Sequence, residues 1–344
     1  MQNQIDTLRQ LNYELIKNLG LFRQRAGLSF GQRHTLYHIN AHQGLSIQEL
    51  AELLQVDHST MSRNVKKLMQ ADLVETFQDE LAVAKARVMF KKVHASKIPT
   101  EEIDTWTVEE LLCNSGIMID GKLSRAAIIL LGKTVSVFKL RPAVVEVTWT
   151  LRDGRQEVVD YEHFNVPFIL TVDQILSKIR NLTMRELPGG TLFPETMKQY
   201  DDYTIREFFN DTATTEIYTL QQRINFVENP DFLYYANGGS FIPGTLQKAL
   251  ATKGPQRHFR NECLCRAMVN FNMIDTVSRG IKKMFNEQWR RHFPMPDYEI
   301  DALNKEVGVK IYGNTINEKY TKLLKENNTL TLEDCILLDA VQKG

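Results

Sequence analysis

The feature that most restricts the fold is a pair of short helical patterns separated by a tight turn between Ser46 and Met69. Ser46-Ile47-Gln48-Glu49 is a capping box: the serine accepts from the backbone N–H three residues on, and Glu49 reaches back. It opens a helix that runs to Leu54, and Gln55-Val56 turns the chain. Asp57 or Ser59 caps the next helix, in which Met61, Val65, Leu68 and Met69 fall at i, i+4, i+7 and i+8. That stripe leaves Ser59, Thr60, Ser62, Arg63, Asn64, Lys66 and Lys67 on the other faces. The spacing is that of a helix-turn-helix, which places small hydroxyls and cations where a duplex groove would be. The competing interpretation is the solvated face of an ordinary helical bundle.

Two further helices precede this pair, one over Leu8–Phe22 and one over Phe30–Ala41 that ends at His42-Gln43-Gly44. His34, His38 and His42 recur every four residues on the second, but no carboxylate shares their face. They read as exposed or core histidines, and no metal site is expected.

Charge narrows the partners. The 344-residue chain carries 42 Lys+Arg against 42 Asp+Glu, which excludes nucleic-acid binding by bulk positive charge. Residues 1–80 hold 8 Lys/Arg against 9 Asp/Glu, so any DNA contact depends on a local patch and gains from a second subunit. Four cysteines make no disulfide framework. The longest apolar stretch, Ala126–Leu131, is far too short to span a bilayer, and no leader pattern opens the sequence, so a cytoplasmic protein is expected.

Gly27–Phe30, Leu45–Ala51, Asp57–Arg63 and Leu73-Val74-Glu75 together resemble the winged-helix domain of MarR-type transcription regulators over residues 1–76. The resemblance implies that Ser59 to Lys67 lie on the recognition helix, with double-stranded DNA as partner and a homodimer built through terminal helices. The sequence departs from the family after Glu75. Thr76-Phe77-Gln78-Asp79-Glu80 is acidic where the family has a basic hairpin wing.

Beyond residue 80 the pattern becomes mixed. A helix over 81–93, a break at Pro99 and a helix over Thr107–Cys113 lead to the apolar run Leu123–Lys133. Strands follow around Val145–Trp149 and Gln156–Tyr161, joined by the Asp153-Gly154 turn; then come a helix from Phe168 and a boundary loop at Pro188-Gly189-Gly190. A second α/β block has a helix near Tyr203–Phe209, strands at Arg223–Glu228 and Phe232–Ala236, a loop at Asn237-Gly238-Gly239, helices over Asn261–Asn272 and Thr276–His292, and a strand at Val307–Tyr312. Asn317–Lys325 and Leu332–Gln342 are helical.

Asp120–Ala127, Leu130–Lys133, Tyr203–Glu207, Asn237-Gly238-Gly239, Arg260-Asn261, Met273–Thr276 and Gly280–Met284 resemble the RecG-like or Schlafen/AlbA-linked transcriptional regulators over residues 80–344, whose C-terminal half is similar to a divergent GHKL-type ATPase domain. That resemblance implies ATP and Mg²⁺ as cofactors, with Glu207 orienting a hydrolytic water. It also implies nucleotide contacts from Asp211, Asn237, Gly238, Gly239 and Gly280. Asp211 and Thr215 stand where the family has Asn and His, and Ser278-Arg279-Gly280 where it has a glycine-rich turn. No Walker lysine motif occurs, so a helicase motor is not expected and any ATPase would be weak. Asn210–Thr219 resembles a translated sequencing-library adapter, which would make the frame a chimera and leave that stretch a poor helix.

The expected fold is therefore α+β and multidomain: a helix-turn-helix domain over 1–78, a linking α/β domain over 79–190, a GHKL-like α/β sandwich over 191–315, and the start of a truncated winged-helix tail over 316–344. A DNA-binding regulator with a nucleotide module, a GHKL-like ATPase without sequence reading, and a frame with no selected function stand as the three alternatives.

Overall fold

The computed structural model describes residues 28–42, 45–71, 73–186, 195–211, 222–252, 260–274, 280–314, 318–327 and 329–343. The chain divides into two compact units, Met1–Glu75 and Thr76–Gly344.

The first unit holds α1 (Phe30–Ala41), α2 (Ile47–Leu54) and α3 (His58–Gln70). Local chemistry starts each helix. Ser29 with Gln32 and Ser46 with Glu49 form complete capping boxes, and Asp57 accepts from the Thr60 N–H at 2.8 Å. Gln55 closes α2 in the left-handed region (φ 52°), which sharpens the turn into α3. Leu50, Ala51 and Met61 are buried among Ile39, Leu45, Ile47, Leu54 and Val65, and Leu68 is fully buried. In a core this small each terminus matters. Ser46→Ala, which removes a buried cap, should cost about 1 kcal/mol in a denaturant titration followed by helical dichroism. The expected Leu8–Phe22 helix lies outside the described residues.

No strand forms over residues 73–77, so the first unit has no hairpin wing among its described residues. Instead Gln78 bridges Gly132, the Asp79 N–H donates to the Leu131 carbonyl (2.7 Å), and the Asp79 carboxylate caps α4 (Glu80–His94). The acidic residues that break the wing pattern start the next unit.

That second unit continues with α5 (Thr100–Thr105), α6 (Val108–Asn114), the hairpin β1 (Met118–Ile119) and β2 (Lys122–Leu123), and α7 (Arg125–Leu131). Then come β3 (Val147–Arg152), β4 (Val158–Phe164), α8 (Phe168–Lys178), the hairpin β5 (Thr183–Glu186) and β6 (Glu195–Lys198), and α9 (Asp202–Asp211). The remainder is β7 (Ile224–Glu228), β8 (Phe232–Gly238), α10 (Leu246–Ala251), α11 (Glu262–Asn270), α12 (Gly280–Arg290), β9 (Asp297–Asp301), β10 (Glu306–Tyr312), α13 (Glu318–Glu326) and α14 (Leu332–Lys343).

Six strands form one sheet in the order β4-β3-β7-β8-β10-β9, antiparallel except where β3 runs parallel to β7 (Val147 opposite Ile224, Leu151 opposite Glu228). This pairing overturns the expected division at residue 190. Parallel neighbours need a crossover connection, and the chain from α8 to α9 supplies it, so the blocks on either side of Pro188 share one sheet and one core. Buried Val147, Trp149, Ile224, Phe226, Leu233, Tyr235, Val309 and Ile311 join that core to residues of α4, α7, α8, α9 and α11.

The tail is not a separate unit either. Tyr320, Leu324 and Cys335 of α13 and α14 are buried with Phe285 of α12 and Met295, and buried Asp339 accepts from the Met295 N–H at 3.1 Å. Among the described residues no helix is long and apolar enough to cross a membrane.

Candidate nucleic-acid interface

The helical period sorts the α3 side chains. Met61 and Leu68 are fully buried and Val65 is half-buried, whereas Met69, expected in the same apolar stripe, is exposed. On the opposite face Ser59, Arg63, Lys66, Lys67 and Gln70 are all exposed, at i, i+4, i+7, i+8 and i+11. Gln70 was not among the expected contacts. Its signal was there in the spacing, seven residues beyond Arg63.

Hydrogen bonds organise the N-terminal end of this face. Ser59 Oγ donates to Asp57 (2.5 Å), Arg63 Nη2 donates to Thr60 Oγ1 (3.2 Å), and Arg63 Nε donates to the Ser59 carbonyl (3.3 Å). Arg63 is thus folded back over the first turn while remaining exposed. Ser62 and Thr60 are half-buried. Asn64 turns toward α1, where its amide lies close enough to Gly31 that a Cβ there would sit 3.3 Å away. The expected residues therefore separate into an outer set (Ser59, Arg63, Lys66, Lys67) and a flanking set (Thr60, Ser62, Asn64).

Hydrogen bonds from Ser59 and Thr60 hold the Asp57 carboxyl well below the usual carboxylate range. A depressed folded-state value means that this cap contributes fully above the ordinary carboxylate range. Its contribution is lost as pH falls through the depressed value.

The residues expected to meet a nucleotide are distributed differently. Glu207 on α9 reaches Gly280 at the start of α12: a Cβ on Gly280 would lie 1.6 Å from Glu207 Oε1 and 2.8 Å from its Cγ. Lys283 of α12 sits over the Tyr203 ring of α9, 3.2 Å from its centroid, and holds the same two helices together. Asn237 and Gly238 are not in a loop. They are the last residues of β8, opposite Val307 and Glu306, and Asn237 is buried. A Cβ on Gly238 would meet Gln222 Oε1 at 2.1 Å. Gly239 has a left-handed φ of 134° and donates its N–H to the Lys305 carbonyl (2.7 Å). Asp211 closes α9, while Thr215, Ser278, Arg279 and most of the adapter-like stretch lie outside the described residues.

The close approaches that glycine permits at 238 and 280 are therefore taken up by the protein's own Gln222 and Glu207. As arranged, these side chains do not form a phosphate cradle, and no step through ATP or Mg²⁺ follows from them. Because the first atoms a Cβ at 280 would meet are the far end of the flexible Glu207 side chain, which can swing aside, Gly280→Ala should cost no more than about 1 kcal/mol in thermal unfolding. A larger loss that Gly280→Ala/Glu207→Ala recovers would show that Glu207 is fixed in place.

The family comparison bears on the first unit. Residues 26–80 match the MarR family. No curated protein matches the chain. Among solved structures, the crystal structure of the DIP2311 protein from Corynebacterium diphtheriae is similar at a TM-score of 0.53 and 17% identity. The match covers 73% of this chain and 48% of that one, so the chain spans about half the length of that neighbour, and the likeness concerns fold alone. The segment that folds as the capped helix-turn-helix is thus the segment that matches the MarR family.

Proposed function

We propose that this chain is a DNA-binding transcriptional regulator that reads double-stranded DNA with α3. The observation that carries the reading is the two-sided character of that helix: an exposed stripe of Ser59, Arg63, Lys66, Lys67 and Gln70 backed by buried Met61 and Leu68. Arginine, lysine and glutamine are side chains that pair with base edges and phosphates in a major groove, and the serine sits on the first turn, where a phosphate can approach. With no hairpin wing among the described residues of the first unit, α3 and its immediate flanks would supply most of the contacts. A single copy would then hold few phosphates, and two copies on a two-fold operator would reach regulatory affinity.

Selection of bound fragments from a random duplex pool, followed by titration of the enriched and a scrambled sequence at several salt concentrations, tests the reading. The enriched duplex should bind at least about a thousandfold more tightly than the scrambled one. Equal affinities, or no enrichment, would remove it.

A further inference from the structure

His34 and His38 lie one turn apart on α1, and their Nε2 atoms stand 3.3 Å from each other. Sequence spacing alone favours exposed or packed histidines here, but it does not say where the ring nitrogens point. The structure brings two of them together. His34 and His38 meet edge to face, with ring centroids 4.8 Å apart, while the His42 ring stacks on His38 at 6.1 Å without joining the nitrogen pair.

From this geometry we infer that His34 and His38 form a bidentate site for a divalent transition-metal ion of the copper, nickel or zinc type. An ion about 2.1 Å from each Nε2 would subtend an N–metal–N angle of roughly 105° across the 3.3 Å gap, close to what tetrahedral and octahedral ions accept. Two imidazoles on one rigid helix need no backbone rearrangement to converge. Burial draws both rings below the ordinary histidine value, and His34 and His42 add to the effect on His38. No group of three or more histidine, cysteine or carboxylate side chains gathers as a metal cage among the described residues, so the remaining positions would hold water. His38 Nδ1 has no hydrogen-bond partner among them, which leaves the ring without an outer acceptor and makes the affinity modest.

The test uses the full chain with NiCl₂ or CuCl₂ as the only added metal. Calorimetry at pH 7.5 should show an equivalent that is lost at pH 5, when the imidazoles protonate. His34→Gln and His38→Gln should each weaken it at least about tenfold, whereas His42→Gln should leave it within about twofold. Electron paramagnetic resonance of the Cu²⁺-loaded wild-type chain should show two coordinating imidazole nitrogens, a readout that does not depend on any variant folding. Unchanged binding in both His34 and His38 variants, or a copper spectrum without two imidazoles, overturns the site and leaves the two rings as a hydrogen-bonded pair.

Discussion

Replacing Arg63, Lys66 and Lys67 together by alanine should lower affinity for the selected duplex on the order of a hundredfold and flatten the log–log salt dependence by about three. Each lost phosphate contact removes close to one released counterion, and the three cations stand on one exposed face of α3. Arg63 does not escape this count by being folded back. Its bonds to Ser59 and Thr60 are 3.3 and 3.2 Å long and exposed to solvent, so exchanging them for a phosphate costs little. None of the three packs against the core, so the helical dichroism of the variant should match wild type and its unfolding free energy should stay within about 0.5 kcal/mol of it. Fluorescence anisotropy from low to moderate salt checks both halves. If the slope is unchanged while the fold is intact, α3 does not face the phosphates and the proposed reader is wrong.

The second large effect concerns the sheet. Phe208→Ala should destabilise the second unit by about 3–5 kcal/mol. This ring is fully buried on the inner face of α9; it stacks on Tyr235 of β8 (centroids 5.2 Å apart, 10° between planes) and meets Phe226 of β7 edge-on at 5.9 Å. Truncation removes two aromatic contacts and leaves a cavity between helix and sheet that rigid strands cannot collapse to fill. Trp106, Trp149 and Trp289 all lie in this unit and there are three tryptophans in the chain, so denaturant unfolding followed by tryptophan fluorescence reads it selectively. Phe208→Leu, which keeps most of the volume, should lose much less. A shift below about 1 kcal/mol for the alanine variant would mean that α9 is not seated on the sheet as described.

What the sequence determined on its own was whatever depends on groups within about four residues of each other. Ser46 with Glu49 is a capping box in the structure, and the strands flanking Asp153-Gly154 pair as that turn implies. The two-sidedness of α3 belongs here too, because helical period alone separates Met61 and Leu68 from Arg63 and Lys66. Tertiary structure decided what depends on distant partners. The parallel pairing of β3 with β7 joins residues more than seventy apart and merges two expected domains into one; Asn237 and Gly238 extend β8 because β10 lies beside them; Gly280 is glycine where Glu207 arrives. Those outcomes follow from which surfaces meet, and a local pattern carries the preference of a segment without naming its partner. The His34–His38 pair sits between the two cases: helical spacing put the rings on one face, and only their side-chain rotations brought the two Nε2 atoms within 3.3 Å.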